Sequence, residues 1–126
     1  MTSRASHEEV VAATAETAAT MLPQNVPVNA YETPGAFVIL APLPAVTAAD
    51  VSVELTDGSV RFWAELRAAG TRTYVIHEWE YGGYERTVDV PRGYGAGVEA
   101  SLANGQLAIR VLSGAFTEPV QVSPAP

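Results

Sequence analysis

The stretch VEASLANGQLAIRVL, residues 98–112, decides the fold. Two runs of alternating character, Val98 to Ala103 and Gln106 to Leu112, flank Asn104-Gly105. Both residues of an Asn-Gly pair tolerate positive φ, which a type I′ hairpin turn requires. A hairpin with one apolar and one polar face needs a second layer to cover its apolar side. The chain therefore has to supply more strands of the same kind.

Working outward, it does. Val51, Val53 and Leu55 alternate with Ser52, Glu54 and Thr56, so one face is apolar and one polar. Asp57-Gly58 signals another tight turn, and Ser59 to Leu66 reads as the returning strand. Ala36 to Ala41 is a nearly continuous apolar run, as in a strand buried within a sandwich, and Pro42 and Pro44 end it because proline cannot donate to a ladder. Val26, Val28 and Ala30 alternate with Pro27, Asn29 and Tyr31. Tyr84 to Val90 alternates again up to Pro91, and Thr73 to Tyr81 is strand-like and rich in aromatic residues. Arg92 to Gly97 reads as a flexible connection. Many short strands separated by turn signals, with no helical period between them, predict an all-β, immunoglobulin-like antiparallel β-sandwich.

The chain of 126 residues is the size of one ordinary domain, and 48% hydrophobic residues are enough for a core. Residues 1–25 read as an N-terminal arm. Ser6-His7-Glu8-Glu9 has capping-box spacing, and Val11, Ala15, Ala18 and Leu22 recur at helical spacing until Pro23. The sandwich occupies 26–113, and 114–126 form a tail rich in proline at its end. Within the tail, Val120 and Val122 lie two residues apart in an extended segment, so both side chains point the same way.

The formal net charge is −7, with seven Arg, no Lys and fourteen Asp plus Glu. That balance opposes nucleic acid and anionic membranes, which need a basic face. No apolar stretch approaches the roughly 20 residues needed to span a bilayer, and the N-terminus shows no secretory pattern. Cysteine is absent, which excludes thiol chemistry and fits a cytoplasmic location.

Nothing in the sequence assembles a catalytic or metal site, and no cofactor is implied. His77 beside Glu78 has no nucleophile elbow to serve, Glu78 and Glu80 read as a solvated face, and Asp50, Glu54 and Asp57 lack a calcium-loop pattern. Gly93, Gly95 and Gly97 precede no helix that would cradle a phosphate. The expectation is a protein that is not an enzyme and works through surfaces and strand edges.

Four segments together carry a family resemblance. Ala100-Ser101-Leu102-Ala103-Asn104-Gly105-Gln106-Leu107 resembles the A-x-x-x-N-G-x-L signature of the small heat-shock proteins, the α-crystallin-domain family. Tyr84-x-Arg86-x-Val88-x-Val90-Pro91 is similar to that family's F-x-R-x-x-x-L-P strand. Val26 to Glu32 and Ala41 to Val46 fit the family in the same order. The resemblance covers about residues 26–112, and Val120-x-Val122 resembles the family's Ile-x-Ile anchor.

The resemblance implies an ATP-independent holdase chaperone of the stress response, whose partners are unfolding client proteins and other copies of itself, as a dimer or higher oligomer. The alternative on the same sandwich is a non-catalytic co-chaperone or assembly adaptor. The resemblance also implies site residues. Val120 and Val122 would anchor the tail in a neighbour's groove, between strands Val51–Thr56 and Val98–Ala103, lined by Val53, Leu55, Ala100 and Leu102. The loop segment Tyr74, Val75, Ile76, His77, Glu78 and Trp79 would be exchanged between the subunits of a dimer. Arg86 would make ion pairs near the dimer interface. The arm departs from the family in having no Phe or Trp.

Overall fold

The computed structural model describes residues 24–65, 73–76, 78 and 83–126. Nine strands are present among them: β1 (Gln24–Asn25), β2 (Asn29–Glu32), β3 (Ala36–Pro42), β4 (Val51–Thr56), β5 (Ser59–Ala64), β6 (Tyr84–Asp89), β7 (Tyr94–Ala103), β8 (Gln106–Ser113) and β9 (Val120–Val122). They form two sheets, in the orders β1-β6-β5-β4-β9 and β2-β3-β8-β7. All pairings are antiparallel except the short β1–β6 contact. The expected all-β sandwich is the observed fold.

Period-two patterning positions the core. In β4 and β5, Val51, Val53, Leu55, Val60, Phe62 and Ala64 are buried, while every intervening residue is partly exposed. Their partners across the sandwich are Phe37, Ile39 and Ala41 of β3, Leu102 of β7, and Leu107, Ile109 and Val111 of β8. The two hairpins read from sequence are both present. Thr56 pairs with Ser59 across Asp57-Gly58, and Ala103 pairs with Gln106 across Asn104-Gly105. Asn104 and Gly105 adopt φ of 52° and 75°, the left-handed geometry that a type I′ turn needs.

Two local expectations are corrected. Tyr94 to Gly97 are not a loose connection but the first residues of β7, joined to the rest through a register shift between Tyr94 and Val98. A bulge absorbs the extra residues without ending the strand. The aromatic segment from Thr73 makes no strand among its described residues. Thr73 and Tyr74 are irregular, and Val75 and Ile76 form a bend. None of the described strands of this subunit pairs with the segment. The arm at 1–23, together with Leu66, lies outside the described residues.

Tyr94 ties the ends of the second sheet together. Its ring packs against Phe37 at a centroid distance of 6.0 Å, and its hydroxyl donates to the Glu32 carboxylate at 2.8 Å. The hydrogen bond to Glu32 is the main cause that pushes the phenol above its ordinary value of 10.0. A phenol raised in the fold favours its neutral form there. The stabilisation is therefore full below about pH 10, the unfolded value, and is lost as pH rises through the higher folded value. Absorbance titration of the phenols should show one late-titrating group that Tyr94→Phe removes and Glu32→Gln moves back toward 10. A titration unchanged by either substitution would contradict the assignment.

Candidate functional site

The open edge of the sandwich lies between β4 of one sheet and β7 of the other, and the tail fills it. β9 pairs antiparallel with β4 in the register Val53 to Val122, Glu54 to Gln121 and Leu55 to Val120. Residues paired across a ladder point to the same face, so both valines share the core-facing side of β4. Val122 packs against the core cluster, and Val53 and Leu55 beneath the tail are 0% and 1% exposed.

Beyond the valines the tail crosses to the other sheet. Pro124 is buried. Ala125 forms a parallel bridge with Ser101 of β7, with its N–H donating to the Ala100 carbonyl at 3.0 Å and its carbonyl accepting from the Leu102 N–H at 2.8 Å. One short segment thus hydrogen-bonds to both sheets. Ala100 is half-buried at this edge and Leu102 is buried. In the single subunit the groove holds the subunit's own tail.

Sequence reasoning missed one contact of the tail. Phe116 packs on the core cluster and lies against Gly95, where a Cβ would approach the Phe116 Cβ to 3.1 Å. Phe116 was visible as the lone aromatic of the tail, but its contact depends on a glycine in a different strand.

A second edge is open. β2 pairs with β3 on one side and has no partner strand on the other among the described residues, and all four of its residues are exposed. Tyr31 on β2 is 51% exposed. The loop residues Val75 and Ile76 are 101% and 73% exposed, Tyr74 is half-buried, Glu78 is exposed, and His77 and Trp79 lie outside the described residues. Arg86, in β6, donates from Nη1 to the Val26 carbonyl at 2.7 Å, so its partner here is main chain at the entry to the domain.

Charged side chains gather on the outer faces. Arg61 Nε donates to Glu85 at 2.6 Å while its guanidinium lies 4.0 Å over the Trp63 ring, and Arg110 pairs with Glu99 across β7 and β8 at 2.6 Å. Both ion pairs are more than a third exposed, so each contributes at most about 1 kcal/mol. Among the described residues no three His, Cys, Asp or Glu side chains gather where they could hold a metal ion. No helix among them is long and apolar enough to cross a membrane.

Comparison with known proteins agrees with this architecture. The model of the Hsp20/alpha crystallin family matches residues 29–121. A small heat-shock protein from Xylella fastidiosa superposes with a TM-score of 0.60 at 28% identity, covering 80% of this chain and 96% of that one. The hspA protein of Xanthomonas axonopodis gives 0.64 at 23% identity, covering 75% and 98%, and heat shock protein 16.0 of Schizosaccharomyces pombe gives 0.61 at 21%, covering 73% and 68%. A comparison with curated proteins finds no match. The family match runs from the exposed strand β2 to Gln121 within the tail strand β9, short of Val122 and Ala125. The chain belongs to the Hsp20/alpha crystallin family, the small heat-shock protein chaperones.

Proposed function

We propose that this chain is an ATP-independent holdase: it binds extended apolar segments of partly unfolded proteins and limits their aggregation. One observation carries the reading. The groove between β4 and β7 takes a strand-shaped segment through main-chain hydrogen bonds and a pair of small apolar side chains. Main-chain pairing is indifferent to sequence and the apolar positions need only approximate fit, which suits clients of no fixed sequence.

The working unit in this reading is a dimer. The segment Tyr74–Trp79 of each subunit would add to the open edge of the partner's β2, covering Val75 and Ile76, which water cannot accommodate favourably on a free subunit. Arg86 would sit beside that contact. The Xylella protein is described as having a distinct high order structure, and a dimer of this kind would be the piece from which a larger assembly is built. The subunits would work in the cytoplasm.

The test is light scattering from a heat-labile client protein, with no nucleotide present. Near-equimolar chain should lower the scattering, and added ATP should change nothing. If equimolar chain leaves aggregation unaltered, the holdase reading fails and a co-chaperone or assembly adaptor on the same sandwich takes its place.

A further inference from the structure

We propose that Asn104, at the tip of the β7–β8 hairpin, is a site of covalent self-modification: its side chain closes on the next peptide nitrogen, loses ammonia, and leaves either aspartate, which keeps the turn, or isoaspartate, which loosens it. Nothing in this chemistry depends on the holdase reading above.

Three features meet at this tip. Asn104 is exposed, and its carboxamide has no hydrogen-bond partner among the described residues. The Gly105 N–H likewise has no acceptor among them, although the Gly105 carbonyl accepts from the Leu43 N–H at 2.8 Å. Gly105 also carries no Cβ to stand in the path of ring closure. Asparagine is a thermolabile residue in general, but the two others in the chain are placed differently. Asn25 precedes the β-branched Val26, Asn29 precedes Ala30, and both lie in strands.

The step balances with water as the only co-reactant. The Gly105 nitrogen gives its proton to solvent base and attacks the Asn104 Cγ. A C–N bond forms, the Cγ–Nδ2 bond breaks, and ammonia leaves a five-membered succinimide. Water then opens the ring. Attack at Cγ breaks its bond to the Gly105 nitrogen and gives aspartate, whereas attack at the main-chain carbonyl of residue 104 gives isoaspartate. The folded turn holds Asn104 at φ 52° and Gly105 at 75°, with Ala103 paired to Gln106 across it. Ring closure needs rotation away from that geometry, so the hairpin slows the step and warming that loosens the tip releases it. Conversion at Asn104 thus accumulates with exposure to heat.

The two products differ in what they do to the hairpin. Aspartate tolerates positive φ, and Asp-Gly suits a type I′ turn as Asn-Gly does, so this product only adds a negative charge. Isoaspartate routes the main chain through its Cβ and lengthens a two-residue loop by one backbone atom. The Ala103–Gln106 closure and the Gly105 carbonyl on Leu43 then cannot both be kept. Leu43 is 0% exposed, so losing that acceptor strands a buried N–H.

The test is incubation of the full chain at mildly alkaline pH, cool and near its unfolding midpoint, followed by proteolysis and peptide mass spectrometry. The peptide holding Asn104 should exchange amide for acid at least about tenfold faster than those holding Asn25 and Asn29, a barrier difference that the missing Cβ and the free N–H supply. Heating should widen its yield. Asp57-Gly58 at the other hairpin can close the same ring only by losing and regaining water, with no change in mass. Asn104→Gly, which keeps a turn-forming pair, should abolish the mass gain in that peptide, and Asn104→Asp does the same should the first variant not fold. The isoaspartate form, separated by chromatography, should populate the unfolded state about tenfold more than the parent, whereas Asn104→Asp should match the parent. An Asn104 peptide that converts no faster than the other two would overturn the site. Parent-like stability of the isoaspartate form would overturn its effect on the turn.

Discussion

Replacing Phe62 with alanine is expected to cost about 3–5 kcal/mol of stability, a large share of what a domain of this size has. Phe62 is fully buried at the centre of the core, in β5 between β4 and β6, and is among the largest side chains there. Its removal leaves a cavity that strands fixed on both sides by hydrogen-bond ladders cannot collapse to fill. A domain of this size has only about 5–15 kcal/mol in total. The neighbouring Trp63 supplies the control. It is larger but faces outward under the Arg61 guanidinium and is half-buried, so Trp63→Ala should cost about 1 kcal/mol. Urea unfolding followed by circular dichroism measures both. Equal losses at the two positions would contradict the assignment of faces in β5.

The second large effect concerns assembly. Val75→Asp with Ile76→Asp should leave the unfolding midpoint of the subunit unchanged, because both side chains are solvent-exposed in it. In an exchanged strand the two residues point to opposite faces, so at least one meets the partner. Losing that side chain removes about 1.5–3 kcal/mol, and placing a carboxylate there adds a desolvation cost. The dimer dissociation constant should therefore rise about a hundredfold or more, read by sedimentation as conversion to single subunits at micromolar concentration. A dimer that persists in the double variant would show that the subunits meet elsewhere.

The regular parts of the fold were legible in the sequence because side-chain alternation survives wherever side chains are present. Val51, Val53 and Leu55 on one face of β4 and the Asn104-Gly105 turn are the plainest cases. Tyr94 to Gly97 were not legible as strand, because glycine carries no side chain to alternate and a register shift breaks the period there. The strand-like composition of Thr73 to Tyr81 marked a segment fit to pair but could not say which chain supplies the edge. The same holds for Val120 and Val122. Their spacing announces two apolar knobs on an extended ligand, while the contact of Phe116 with Gly95 that accompanies their docking joins residues far apart in sequence and only the folded backbone brings it about. Val53, Leu55, Ala100 and Leu102 do border that groove, and Val53, Leu55 and Leu102 belong to the common core as well.

The proposed holdase function turns on one event, the entry of an extended client segment into the groove between β4 and β7 in place of the tail that fills it. Hydrogen exchange at the Leu102 and Ala125 amides reads it directly, since each is bonded to the other strand in the closed edge. With a heat-unfolded client bound, Ala125 should lose its protection while the Leu102 amide stays protected by the incoming chain, and the residues of β4 should remain slow. If aggregation is suppressed while the Ala125 amide keeps the protection it has in the free subunit, clients bind somewhere other than this edge and the account is wrong.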